Sequence, residues 1–335
     1  MELRQLGRTG LRVSRIGLGT LTWGREADEP VGRVSAEQNA AELLKTFWEA
    51  GGTLVDTADV YADGGAEYLL GRMLDVLVPR AELVVATKAG SVPDPDRRFD
   101  CSRGRLLAAL DASLERLGTD YVDLWQVHAF DPGTPLEETL HALDIAVGSG
   151  RARYAGVTDF RGWQLAKAAT WQLAAPGARS RLAGAQAEYS LLQRGAEREL
   201  LPAALDLGVG LLPSSPLGRG VLTGKYRGGE VPPDSRAASP KWAGFVAPYL
   251  GDAAGRVVDA LATAADGLAV TPLQVALAWV RDRPGVAAPI VGARTSAQLS
   301  EALSVEALSL PDEITRALDD VSAPGRHDPD HDWSA

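Results

Sequence analysis

Asp56, Tyr61, Lys88 and His128 fall at or just past the ends of three short apolar runs, residues 53–56, 83–87 and 121–127. A carboxylate, a phenol, an ammonium and an imidazole brought to one rim would suit the reduction of a carbonyl. That reaction needs a hydride at carbon and a proton at oxygen. A phenol can give the proton, but its reference pKa of about 10 makes it a reluctant acid at neutral pH. A neighbouring ammonium stabilises the phenolate and pulls that value down. Lys88 is the candidate for this effect on Tyr61, and a fall of about 3 units corresponds to roughly 4 kcal/mol of differential interaction. Asp56 would hold Lys88 charged and in position. His128 would hydrogen-bond the carbonyl oxygen and orient it. No side chain supplies hydride, so the set implies a hydride-carrying cofactor. Each residue taken singly also suits a structural role, since a strand-end Asp caps loop backbone and a Tyr packs. The coherence of the four together points to chemistry.

Such residues need a scaffold that delivers them to one rim. Residues 3–6 and 11–14 read as a hairpin around the turn Gly7-Arg8-Thr9-Gly10. Eight β-type runs follow, at 16–18, 53–56, 83–87, 121–127, 154–157, 184–187, 209–212 and 288–291. Helical patterns alternate with them at 36–50, 66–77, 103–117, 136–148, 163–173, 197–207 and 252–265, with further helices at 273–281, 297–303 and 312–321. Strict alternation implies parallel strands joined by helical crossovers. Eight such units close into a (β/α)₈ barrel whose chemistry sits at the C-terminal ends of the strands. A doubly wound sheet is the rival, but the first run continues Gly17-Leu18-Gly19-Thr20-Leu21-Thr22 and lacks the third glycine of a dinucleotide fingerprint. The reading is one α/β barrel domain over 1–335, with a long loop after the seventh strand at 215–251 and a mobile polar tail at 324–335.

Composition narrows the classes further. Apolar residues are 45% of the 335-residue chain and charged residues 23%, so a large core can form. Asp plus Glu is 44 against 34 Lys plus Arg, a net charge of −10 that argues against a nucleic-acid surface while leaving room for a local phosphate pocket. The single cysteine, Cys101, allows no intrachain disulfide, which suits a reducing cytoplasm. No signal peptide is visible and no apolar run is long enough to span a membrane.

Three other chemistries lack their signatures. Gly220-Val221-Leu222-Thr223-Gly224-Lys225 resembles a phosphate loop, but Arg219 and Tyr226 occupy the positions of its first glycine and its magnesium-binding hydroxyl. No Gly-x-Ser-x-Gly elbow supports a hydrolase. Only His128 and His141 lie in the body of the chain, too few for a catalytic zinc site, and no metal is expected.

Over nearly its whole length the chain resembles the aldo-keto reductases, in particular the branch related to voltage-gated potassium-channel β-subunits. The likeness rests on Gly7-Arg8-Thr9-Gly10-Leu11 running on to Gly17-Leu18-Gly19-Thr20, on Asp56-Thr57-Ala58 followed by Tyr61, on Lys88, and on Asp123-Leu124-Trp125-Gln126-Val127-His128. It implies Tyr61 as proton donor, Lys88 and Asp56 as its tuning pair, and His128 as the residue that positions substrate. It implies an NADP(H) site as well. Gly19, Thr20, Leu21 and Asp56 would contribute at the first two strands, and Thr158, Asp159 and Gln186 would grip the nicotinamide amide. Ser215, Pro216, Leu217, Gly218 and Lys225 would cover the pyrophosphate, Gly292, Arg294, Gln298 and Glu301 would serve the adenosine end, and Ser214 and Arg236 would belong to the same cofactor site. Arg294 is the natural partner of a 2′-phosphate, because a guanidinium meets phosphate bidentately. The chain departs from the family pattern at Asp159 and Ala187, where Asn is usual, at Ser214, where an aromatic is common, and at Ala302, where an Asn lies near the adenine.

The implied partner is a small carbonyl substrate, with no nucleic acid and no membrane, and a homo-oligomer stays open. The alternative role is a cofactor-binding regulatory or redox-sensing subunit, as the channel β-subunits are. Trp23, Trp125, Phe130, Trp242 and Phe245 are candidates for the substrate pocket.

Overall fold

In the computed structural model, which describes residues 1–24, 35–92, 94, 97–175, 177 and 179–324, the sheet order explains how distant residues meet. A hairpin, β1 (Leu3–Gln5) and β2 (Arg12–Ser14), precedes eight parallel strands. These are β3 (Gly17–Gly19), β4 (Leu54–Asp56), β5 (Val84–Ala89), β6 (Val122–Val127), β7 (Ala152–Thr158), β8 (Leu182–Glu188), β9 (Gly210–Ser214) and β10 (Ile290–Val291). They stand in the order β10-β3-β4-β5-β6-β7-β8-β9. The seam between β9 and β10 is drawn together by Leu211 N to Gly285 O at 2.9 Å and Ala287 N to Leu211 O at 2.8 Å. The result is a nearly closed barrel, with the antiparallel hairpin across one end.

Alternation along each strand sorts the side chains. Leu54, Ala86, Leu124, Ala183, Leu212 and Ile290 point inward and pack with Leu6, Leu11 and Val13 of the hairpin, which plug the N-terminal end. The plug needs bare backbone beneath it. A Cβ on Gly210 would lie 2.6 Å from Gly7 N and 2.8 Å from Leu6 Cδ1, so a larger residue there would push the hairpin out. Val55, Val85, Val127, Val157 and Leu211 face outward and pack under the helices. Trp125 belongs to this outer layer and is 1% exposed, which corrects its candidacy for the substrate pocket: its neighbours Leu124 and Gln126 take the inward positions.

The helices form where the periodicity places them. They are α1 (Ala36–Glu49), α2 (Gly65–Met73), α3 (Arg103–Leu117), α4 (Leu136–Gly148), α5 (Gly162–Leu173), α6 (Leu200–Leu207), a short α7 (Ala243–Val246), α8 (Asp252–Leu268), α9 (Pro272–Arg281), α10 (Ser296–Leu303) and α11 (Asp312–Val321). Capping boxes start two of them, Ser35 with Gln38 and Thr271 with Gln274, the latter with Pro272 at the first helical position. The second helix stops at Met73, short of the expected residue 77. Asp75 ends it: its N–H donates to Val78 O at 2.8 Å, its Oδ1 accepts from Arg80 N at 2.7 Å, and this local turn outcompetes another helical turn. The last strand is two residues long because Pro289 has no N–H for the ladder.

The segment 215–251 is a series of 3₁₀ turns (Gly218–Thr223, Arg227–Gly229, Arg236–Ala238) leading into α7. Arg219 fastens it to the barrel. Its guanidinium pairs bidentately with Glu188 at the end of β8 (2.6 and 3.0 Å) and lies 4.0 Å from the Phe245 ring. The Tyr249 hydroxyl donates to the same carboxylate at 3.0 Å. Residues 325–335, nearly all of the expected tail, lie outside the described residues. No single helix among the described residues is long and apolar enough to cross a membrane.

Candidate active site

The four candidate catalytic residues meet at the C-terminal rim. Asp56 ends β4 and Lys88 lies near the end of β5, both on the inward face. Val55 and Val85 pair across these strands, so Asp56 and Lys88 are offset by one inward position and the lysine reaches the carboxylate. Lys88 is 0% exposed, and its ammonium donates to Asp56 Oδ2 at 2.7 Å and to Thr57 O at 2.8 Å. Its third direction faces the Tyr61 hydroxyl at 3.3 Å. Because Lys88 has only protons to give, Tyr61 oxygen accepts there, and the phenolic proton points away from the lysine.

Tyr61 opens a tight turn after β4. Ala62 and Asp63 take left-handed conformations (φ 52° and 54°), a strained stretch held by the residues below it. Arg116 of α3 passes under this turn to Glu67, which is 0% exposed and also accepts from Thr87. Asp59 lies in the same place, and burial followed by the Glu67 charge pushes it up to about 7. The residue motif around Asp56 and Tyr61 carries no hint of Glu67 and Arg116, which reach the turn only in three dimensions.

The electrostatics correct one expectation. Lys88 does pull the Tyr61 phenol toward ionisation, but burial outweighs it and Asp56 opposes it, so the phenol sits above its ordinary value. At neutral pH Tyr61 is therefore a protonated donor beside a fixed cation. Lys88 is held above its usual value by Asp56 and Tyr61, against its burial. His128 follows β6, its ring 6.0 Å from that of Tyr61 and edge-on to it. Loss of hydration, then the Lys88 charge, lowers it from 6.5 to about 3, so it is a neutral imidazole at physiological pH. The unfolded chain takes up a proton near pH 6.5 that the folded protein refuses until about pH 3. His128 therefore costs stability as pH falls through that window. Thermal melts from neutral pH down to about pH 4 should show a smaller loss for His128→Asn than for the native chain. Equal losses would contradict the neutral assignment.

The residues implied for a cofactor gather on the same face. The Thr20 N–H and hydroxyl both donate to Asp56 O, at 2.9 and 3.2 Å, with Gly19 and Leu21 on either side. Thr158 and Gln186 are register partners on β7 and β8. Asp159 follows in a left-handed conformation (φ 53°), with its N–H on Gln186 O at 2.8 Å. Asp159 is exposed to water, yet protein surrounds its carboxyl closely. That partial loss of hydration, then the Glu188 charge, pushes it up to about 6, against Lys88. Ser214 ends β9, and Ser215, Pro216, Leu217 and Gly218 turn the chain away, with Gly218 N on Ser215 O at 2.9 Å.

Lys225, Arg236 and Arg294 converge beyond that turn. Burial and then the Arg294 charge lower both Lys225 and Arg236, so each cation disfavours the others. Arg294 donates to Asp234 O at 2.6 Å, which ties the end of the barrel to the 215–251 segment. Gln298 Oε1 accepts from Arg294 N at 3.0 Å, next to Gly292, while Glu301 sits further along α10, partly exposed, its backbone O bonded by Ser304. A cluster of mutually repelling cations suits a polyanion. Among buried polar atoms without a protein partner are Thr158 Oγ1, His128 Nδ1 and both side-chain atoms of Gln126. The first two belong to the site; Gln126, inward-facing beside Lys88, was legible only from strand alternation. Phe130, two residues past His128, stands edge-on to Phe160 and Trp163 at 5.6 and 5.7 Å. Trp242 and Phe245 pair within the 215–251 segment, and Trp23 is buried just past β3.

Comparison with known proteins agrees with this geometry. Residues 15–323 match the model of the aldo/keto reductase family. An uncharacterized oxidoreductase of Bacillus subtilis, YrpG, is 35% identical over 98% of this chain and 99% of its own length. A probable voltage-gated potassium channel subunit beta of rice is 36% identical over 94% of this chain and 95% of its own. The versiconal hemiacetal acetate reductase of Aspergillus parasiticus is 33% identical over 94% and 95%.

Proposed function

This chain belongs to the aldo/keto reductase family of oxidoreductases, and from that premise we propose that it reduces aldehydes or ketones to alcohols with NADPH, Tyr61 giving the proton. The observation that carries the reading is the arrangement of Tyr61 against Lys88. All three directions of the ammonium are committed, one of them to the phenol oxygen, which leaves the phenolic proton free for a substrate oxygen in the cleft. Neutral His128 offers one N–H to that same oxygen and fixes its direction. As the proton leaves Tyr61, Lys88 stabilises the phenolate that forms. Bound NADPH supplies the hydride.

The residues present fit such a cofactor. The Lys225–Arg236–Arg294 cluster supplies the positive charge that a pyrophosphate and a 2′-phosphate need. Thr158, Asp159 and Gln186 lie at the inner end of the cleft, where the nicotinamide amide would be held. Arg294→Ala should weaken NADPH about tenfold to a hundredfold, the range for one charge-assisted hydrogen bond, and leave NADH nearly unchanged. Fluorescence titration with both cofactors checks this. Equal loss for both would remove Arg294 from the 2′-phosphate role.

A second reading, a cofactor-binding regulatory or redox-sensing subunit, draws on the similarity to the rice channel subunit. Robust turnover by the purified chain alone would exclude it as the sole role.

A further inference from the structure

Asp56 has two carboxylate oxygens, and Lys88 uses only one. The other, Oδ1, accepts from Gln186 Nε2 at 2.9 Å, with both residues buried. In the ring of strands β4 and β8 stand opposite each other, so this hydrogen bond crosses the mouth of the barrel. It also fixes the amide: an ionised carboxylate only accepts, so the nitrogen of Gln186 must face Asp56. Its Oε1, which has no protein partner among the described residues, is left as the outward atom. The Gln186 backbone is held as well, because its carbonyl accepts from Asp159 N at 2.8 Å.

We propose that Gln186 is the positioning residue of the catalytic set: it holds Asp56 in the orientation that places the Lys88 ammonium against the Tyr61 oxygen. The chain of contacts is Gln186 to Asp56, Asp56 to Lys88, Lys88 to Tyr61. Losing the first link frees Asp56 to rotate toward Lys88 alone and lets the ammonium drift off the phenol. This role is separate from any contact Gln186 makes to a cofactor, which would use Oε1. It rests on the proposed carbonyl reduction only for its kinetic consequence.

Gln186→Glu separates the two roles. It keeps an acceptor oxygen toward the cleft but replaces the donor to Asp56 with a second carboxylate. The charged and titratable groups around that pair are Lys88, Tyr61, Asp159 and His128, and the net effect of two adjoining carboxylates is to hold a proton between them. Fluorescence titration of the variant with NADPH reads any contact through Oε1 separately from turnover. The variant's kcat should fall about tenfold to a hundredfold at pH 8, the loss of one charge-assisted hydrogen bond. Toward pH 5 the fall should shrink as the shared proton restores a donor, and KM for the carbonyl should change little. Thermal melts read the same coupling without turnover: the variant should melt well below the native chain at pH 8 and approach it near pH 5.

An unshifted pH profile in both kinetics and melting would overturn the proposal. Should Gln186→Glu not fold, Gln186→Met serves in two backgrounds. It should lower kcat in the native chain and lower it no further in Asp56→Asn. Equal losses in both would overturn the proposal too. If the native chain turned over no carbonyl, the proposed function would fail, while the pH dependence of melting would still decide the role of Gln186.

Discussion

Replacing Tyr61 with phenylalanine should lower kcat by about 10²–10⁴-fold, the range for losing a positioned general acid. NADPH should bind as before, because the change removes one oxygen from a side chain whose ring stays packed against His128. The size of the effect follows from the local geometry. Neither neighbour in the set is poised to take over: His128 is neutral, and the Lys88 protons are committed to Asp56, Thr57 and Tyr61. Stopped-flow oxidation of bound NADPH by a reactive aldehyde gives kcat for the chemical step, and fluorescence titration gives the cofactor affinity. A variant that retained most of its turnover would place the proton donor elsewhere. Because burial holds the phenol above its ordinary value, the reverse reaction, which needs phenolate, should gain rate as pH rises through the alkaline range.

Lys88→Met is the second large effect, and it reads out in stability as well as rate. The lysine is 0% exposed and makes the 2.7 Å pair with Asp56. Removing one partner of a buried pair leaves an uncompensated charge and costs about 3–5 kcal/mol. Denaturant unfolding of the variant should show that loss, together with near-complete loss of turnover. The double variant Asp56→Asn with Lys88→Met should recover part of the stability, since neither charge is then stranded, and none of the turnover. A single variant as stable as the native chain would mean that Asp56 is compensated elsewhere. Among the described residues Gln186 is the only other side chain hydrogen-bonded to it, and one neutral donor does not replace a cation.

Much of the architecture was readable because each β-type run and helical pattern carried its own punctuation. Helices 103–117, 136–148 and 312–321 have the expected bounds, set by Ser102, Pro135 and Pro311 ahead of them and by Gly118 after the first. Boundaries slipped where tertiary or side-chain effects intervened, as at Asp75 and Pro289. Trp125 was misplaced for a different reason. An aromatic three positions before a strand-end His reads as a pocket residue only if the side-chain parity of the strand is ignored.

The candidate site divides in the same way. Asp56, Tyr61, Lys88 and His128 could be found from sequence because strand ends of a parallel barrel share one face. Contacts across the barrel could not. The Gln186–Asp56 bond joins residues 130 positions apart on opposite strands. The Arg219–Glu188 latch and the Arg116–Glu67 brace likewise join elements whose packing no local pattern encodes. The direction of the Tyr61 shift was misjudged because a sequence shows the neighbouring charge but not the burial that opposes it.

The central claim is NADPH-dependent reduction of a carbonyl at this rim. Its most direct test is to load the purified native chain with NADPH, mix it with 4-nitrobenzaldehyde, and follow the loss of reduced nicotinamide alongside the appearance of the alcohol. Aldehyde-dependent oxidation with one alcohol formed per NADPH consumed is the result predicted. Tight NADPH binding with no oxidation across a panel of aldehydes and ketones would contradict the account and leave the barrel as a cofactor-binding subunit.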